Sequence, residues 1–303
     1  VMEVVMKKIV IGILSFMFML TGCQSQDKEV PVLTLTKSRV QIALNDTFDY
    51  SLYIEKASDS QDGDLMDQVS YSDIDTSTVG KKTVHYSVED QAGNKAQKDL
   101  IVDVVEYVGD LINPITAQAD IVENPDDVTV LVNKLHEIPE GWKPDDLEKV
   151  IDCSQKLRHE ANQAYTQFYQ AAKEKGIEIY TISGYREPET QQLYWDNSVK
   201  VFGQEHAIQY NAYPRRSEHE LGLCVDISYT MDGDRLSEKV ADSPLGKFIE
   251  SDAYKYGFIL RYPQDKVRIT GYGYEPWHIR YVGVDLATQL HQENKTLEEY
   301  YEG

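Results

Sequence analysis

Between Pro31 and Val105 apolar and polar residues alternate in short runs, among them Val32-Leu33-Thr34-Leu35, Lys82-Thr83-Val84-His85-Tyr86-Ser87-Val88 and Asp99-Leu100-Ile101-Val102-Asp103-Val104. A period of two in runs rich in Val, Thr, Ile and Tyr predicts antiparallel strands, and Asp62-Gly63-Asp64, Val79-Gly80-Lys81 and Asp90 to Asn94 supply the turns. Residues 30–105 therefore read as an all-β sandwich. From residue 128 to residue 303 the pattern is mixed. Asp145 to Lys175 carries Leu147, Val150, Ile151, Leu157, Ala161, Ala164, Tyr165, Phe168 and Ala172 near one helical face, which predicts a long helix ended by Lys175-Gly176. Ile177 to Ile182 predicts a strand, Glu189 to Phe202 a second helix after Pro188, and Leu223 to Tyr229, Phe258 to Arg261 and His278 to Val282 further strands. The expected class for this part is α+β, with helices packed on a small antiparallel sheet. Residues 106–127, with Asn113-Pro114 and Asn124-Pro125 and little periodicity, read as a linker.

Ahead of the sandwich, Lys7-Lys8 precede an apolar run from Ile9 to Leu20 that ends in Leu20-Thr21-Gly22-Cys23. Basic, apolar and small residues in that order predict a secretory signal peptide over residues 1–22. The run is shorter than the roughly 20 residues of a spanning helix. Leu-Thr-Gly-Cys resembles the bacterial lipobox, which implies lipidation of Cys23, a polar tether over residues 23–29 and a place on the outer face of the cytoplasmic membrane.

A chain of 303 residues accommodates one sizeable domain and a smaller companion. Its net charge of -21 excludes nucleic acid as the expected partner, because phosphate binding needs clustered Lys and Arg. Three cysteines, Cys23, Cys153 and Cys224, lie too far apart in sequence to suggest a disulfide framework or a cysteine zinc cluster. Any metal must then be held by His and carboxylates.

Three segments concentrate the candidates: Ser183-Gly184-Tyr185-Arg186, Ser217 to Asp226, and Glu275-Pro276-Trp277-His278. Asp226 sits in an apolar strand pattern, where an ionised carboxylate costs several kcal/mol unless a cation compensates it. A metal shared with His219 is one solution, and an Arg salt bridge is the other. His278 with Glu275 nearby fits metal-assisted hydrolysis, which needs three protein ligands, an open position and a base. Each residue alone has a plainer reading: a core histidine, a solvated carboxylate, a surface ion pair for Arg186, a turn position for Ser217.

Taken in order, these segments resemble the VanY-type D-alanyl-D-alanine carboxypeptidase family, whose pattern is SGYR, SxHxxGxAxD and ExWH. The similarity extends to Leu131 to His136, Pro144 to Leu147 and Ile279 to Gly283. The stretch from Thr78 to Asn94 resembles bacterial surface Ig-like modules with the pattern VGxxxVxYxVxDxxGN. The first resemblance implies one Zn2+ per chain held by His219, Asp226 and His278, with Glu275 as general base and Arg186 polarising the scissile carbonyl. It also implies substrate contacts from Ser217 and, lining the pocket, Gln191. Tyr185 and Trp277 are expected to pack, and His85, His136, His159, His206 and His291 to be structural or solvated. Two departures stand out: Cys224 replaces a small Ala, which it imitates in size, and Glu220 replaces a common Gln. The implied activity is removal of the C-terminal D-alanine of peptidoglycan stem peptides. The alternatives are an L,D-carboxypeptidase cleaving L-Lys or diaminopimelate from D-Ala, and a non-catalytic wall-binding lipoprotein.

Overall fold

The computed structural model describes residues 27–108, 111–233 and 235–302. The signal peptide and Cys23 lie outside these residues. No helix among them is long and apolar enough to cross a membrane.

The first part is built from β1 (Val32–Leu35), β2 (Arg39–Ala43), β3 (Ile54–Asp59), β4 (Gly63–Asp64), β5 (Ser70–Tyr71), β6 (Gly80–Glu89) and β7 (Lys95–Val105). They form two sheets, ordered β1-β3-β4 and β2-β7-β6-β5. Alternation places Val84, Tyr86, Val88, Leu100 and Val102 in the core with Leu33, Phe48 and Leu65, while His85 and Glu89 face outward. Antiparallel pairing is expected throughout, but β2 runs parallel to β7. A crossover through the other sheet separates these two strands, so no tight hairpin dictates their direction.

The expected linker is not irregular. Within it β8 (Tyr107–Val108) pairs with β9 (Leu111–Ile112), and its β10 (Asp120–Ile121) runs parallel to β11 (His136–Glu137) beyond it. Arg39 donates to Asp103 on β7 and to Asp120 on β10, fastening the sandwich to the connecting segment.

The predicted helix over 145–175 is half right. Residues 147–158 instead make a hairpin, β12 (Leu147–Lys149) with β13 (Lys156–Arg158), and α1 spans only His159–Glu174. Local apolar spacing is outweighed by tertiary pairing: Asp152, in the hairpin loop, accepts from the Thr181 backbone N–H and hydroxyl at 2.9 and 2.6 Å. Beyond α1 come β14 (Tyr180–Ser183), α2 (Pro188–Phe202), α3 (Gln204–Tyr210), β15 (Cys224–Ser228), α4 (Lys239–Asp242), α5 (Pro244–Asp252), β16 (Phe258–Leu260), α6 (Val267–Thr270), β17 (His278–Tyr281), α7 (Val284–Glu293) and α8 (Leu297–Tyr301). The sheet is antiparallel in the order β14-β15-β17-β16.

One face of that sheet is the core. Tyr165 and Phe168 of α1 pack with Val225 and Ile227 of β15, Phe258 of β16 and Ile279 of β17. Because side chains alternate along a strand, Cys224 and Asp226 of β15 and His278 and Arg280 of β17 share the other face. There Asp226 pairs in register with His278, and Cys224 with Arg280. This face carries the polar chemistry.

Candidate active site

Asp226 occupies a central strand, flanked by Ser183 on β14 and His278 on β17. His219 reaches the same point from a short 3-10 turn, Glu218–Leu221. That turn closes at Gly222, whose φ of +68° and tight contact with Leu147 and Arg158 leave no room for a Cβ. His219 Nδ1 lies 2.7 Å from the Gly184 carbonyl, so it must donate there and Nε2 is the nitrogen turned to Asp226. That Nε2 is 3.2 Å from Asp226 Oδ2, and His278 Nδ1 is 3.0 Å from Asp226 Oδ1. All three side chains are buried.

Three ligands at about 2.0–2.1 Å from a tetrahedral zinc ion would lie about 3.3 Å from one another. The His219–Asp226 and His278–Asp226 spacings of 3.2 and 3.0 Å are close to that value. Asp226 Oδ1 is buried without a hydrogen-bond donor, as a ligand oxygen would be. Burial pushes His219 down, yet Cys224 and Asp226 reverse this and raise it to about 9, while the two imidazoles hold Asp226 below the usual carboxylate range. Such a site attracts positive charge.

Glu275 precedes β17 and caps its entrance: its carbonyl accepts the His278 N–H, and its Oε2 is 3.7 Å from His278 Nδ1. Burial, with the Asp226 charge adding to it against the pull of His278, raises Glu275 to about 8. A carboxyl held near neutrality can take and return a proton.

A cavity of about 480 Å³ opens over these groups and is lined by Arg186, Ser217, His219, Asp226, Glu275 and His278. Tyr210, Tyr274 and Trp277 add aromatic wall. Arg186 is fixed by three contacts: Nη1 donates to Gln191 Oε1 at 2.7 Å, Nη2 to Ser183 Oγ at 3.0 Å, and its guanidinium stacks over Tyr194. Gln191 is expected to line the pocket. It does not; it is buried behind Arg186, with its Nε2 donating to the Ala212 carbonyl at 2.7 Å. Its amide therefore orients the arginine.

Other residues depart from expectation. Trp277, expected to pack, is only half-buried and lines the cavity, as does His206. Glu220 turns away from the histidines and accepts the backbone N–H of Arg215 at 2.7 Å. Cys224 does more than fill the space of an alanine. Its Sγ lies within 4.8 Å of ligand atoms of both His219 and His278, as the shared strand face requires.

Sequence reasoning missed the layer behind His278. Glu218 Oε2 faces His278 Nε2 at 3.5 Å, while its Oε1 accepts from Arg261 Nε at 2.8 Å and Arg280 Nη1 at 2.7 Å. Arg261 also donates to both oxygens of Glu298, at 2.6 and 2.8 Å. A carboxylate behind a ligating imidazole fixes its tautomer and raises its basicity. The signal was present as one arginine in each of the apolar runs Phe258 to Arg261 and His278 to Val282.

The VanY family, described as D-alanyl-D-alanine carboxypeptidase, matches residues 154–284, and the bacterial surface protein Ig-like domain matches residues 34–104. YodJ of Bacillus subtilis (strain 168) is 35% identical over 239 residues, which span 76% of this chain and 86% of that protein. The LdcB LD-carboxypeptidase structure is 40% identical with a TM-score of 0.55, covering 60% of this chain and 89% of LdcB. The vancomycin-resistance D,D-pentapeptidase VanY, solved in complex with Zn(II), is 32% identical with a TM-score of 0.51 over 57% of this chain and 98% of its own. The protein is a carboxypeptidase, and the chain belongs to the VanY family.

Proposed function

We propose that this protein is a zinc carboxypeptidase that removes the C-terminal D-alanine from peptidoglycan stem peptides. The observation that carries the proposal is the convergence of His219 Nε2 and His278 Nδ1 on the two oxygens of Asp226, with Glu275 beside them at the floor of an open cavity. Bound there, zinc would act as a Lewis acid and lower the pKa of water. Glu275 takes the proton of the attacking water and returns it to the leaving amine. Arg186, aimed into the cavity from outside the ligand cluster, donates to the scissile carbonyl oxygen as negative charge develops. Ser217 receives the terminal carboxylate of the peptide. We take Asp226 as the third ligand because its two oxygens lie 3.2 Å from His219 Nε2 and 3.0 Å from His278 Nδ1, although the Cys224 thiol also lies within 4.8 Å of both imidazoles.

Two end groups fit this chemistry. A D-Ala-D-Ala end is the first reading, supported by the VanY family match. The second is an L-Lys-D-Ala or diaminopimelate-D-Ala end, supported by the likeness to LdcB. Pocket shape around the penultimate residue decides between them. Incubation with pentapeptide and tetrapeptide muropeptides, read by mass spectrometry, separates the cases: alanine lost only from the pentapeptide supports the first, only from the tetrapeptide the second, and from neither rejects both.

We place residues 30–105 as an Ig-like module, 106–127 as its connection and 128–303 as the catalytic domain. A lipidated Cys23 would hold all three outside the membrane, and the mass of the N-terminal peptide of cell-purified protein tests this.

A further inference from the structure

At one end of the sandwich, three carboxylates from distant parts of the chain meet. One oxygen from each of Asp27, Asp59 and Asp90 lies within 4.8 Å of the others. Asp59 ends β3 and is 7% exposed; Asp90 follows β6 and is 5% exposed. Asp59 Oδ1 accepts the backbone N–H groups of Gln61 and Asp62 at 2.7 and 3.1 Å, but its Oδ2 is buried with no donor. Asp90 accepts from the Asn94 backbone N–H and side-chain amide, at 2.8 and 2.7 Å. The same amide donates to the Asp27 carbonyl at 3.3 Å, drawing the segment ahead of β1 into the cluster. Among the described residues no lysine, arginine or histidine forms an ion pair with any of the three.

Three carboxylates gathered without a cation repel one another, and an orphaned buried oxygen among them costs desolvation without return. Hydrogen bonds from neutral amides leave lone pairs on each carboxylate unused. A cation removes both costs. We propose that Asp27, Asp59 and Asp90 bind a divalent calcium ion that clips the segment ahead of β1 to the two turns following β3 and β6. The donor set is all oxygen, which selects a hard cation over zinc. Calcium is favoured over magnesium because its 2.3–2.6 Å bonds tolerate a spread, irregular cluster completed by backbone carbonyls and water. This proposal is independent of the hydrolytic reading.

Calorimetric titration of the zinc-loaded full chain with Ca2+, after removal of free calcium, tests it. One Ca2+ per chain is expected, with a Kd on the order of 10⁻⁴–10⁻³ M, the range of extracellular modules. Asp59→Asn and Asp27→Asn should each weaken binding at least about tenfold while hydrolysis is unchanged. Asp27 lies outside every strand, so its variant keeps the test alive if Asp59→Asn does not fold. No calcium binding by the parent chain, parent-like binding by both variants, or tighter binding of Mg2+ than of Ca2+ would each overturn the assignment.

Discussion

Two neighbouring layers of buried charge meet at His278. Behind it, Glu218 and Glu298 are matched by Arg261 and Arg280, two carboxylates against two guanidinium groups, all with hydrogen bonds shorter than 3 Å. In front of it, Asp226 and Glu275 are equally buried, yet no lysine or arginine pairs with either among the described residues. Burial raises both Glu218 and Glu275, but the arginines bring Glu218 below the ordinary carboxylate range whereas Glu275 stays near 8. The same kind of side chain at the same depth is thus held ionised by arginines in one layer and left near neutrality in the other, where we propose that it moves a proton. Compensation by a fixed cation separates structure from chemistry here.

Exchanging the roles of the two layers should have effects of graded size. Glu275→Gln should lower kcat by about 10²–10⁴ with bound zinc retained, measured by hydrolysis alongside metal analysis. Glu218→Gln strips a matched carboxylate from two arginines and should cost about 3–5 kcal/mol of stability by chemical denaturation. It should also weaken zinc about 10–100-fold, since the partner of His278 Nε2 is altered. Gln191→Ala removes one hydrogen bond that orients Arg186, worth about 0.5–1.5 kcal/mol, and should reduce kcat/KM by about 3–10-fold without changing metal content. Lys134 supplies a test away from both layers, as a buried cation with no carboxylate. Its ammonium donates to the Ile208 carbonyl at 2.7 Å and sits over the Tyr272 ring, and burial lowers its pKa from 10.5 to about 7. Between those values the unfolded chain binds more protons, so stability rises with pH from about 7 towards 10.5. In Lys134→Met that rise should be lost, as followed by Tm across the same range.

Much of the front layer was legible because its residues sit in short segments with a fixed order: His219 and Asp226 flank the turn at Gly222, and Glu275 precedes His278 across a proline. Strand alternation then explains why Asp226 and His278 face one point. The back layer was not legible, since Glu218, Arg261, Arg280 and Glu298 meet only through sheet pairing and the docking of α8. Gln191 reads as a pocket residue because one sequence shows which helix it lies on but not that both ends of its amide are already engaged. The hairpin within residues 147–158 was hidden for a related reason: its apolar residues satisfy a helical period equally well, and the deciding contacts come from Thr181. Three strands, β1 to β3, run from Asp27 to Asp59 and three more, β4 to β6, lie between Asp59 and Asp90, so no local pattern joins them.

We expect two imidazoles and one carboxylate to grip a single zinc ion while the nearby thiol stays out of the first coordination sphere. X-ray absorption at the zinc edge, on protein carrying one equivalent of zinc, addresses it directly. A shell of nitrogen and oxygen at about 2.0–2.1 Å with outer scattering from two imidazole rings is the expected spectrum. A sulfur shell at about 2.3 Å, or scattering from fewer than two imidazoles, would contradict it.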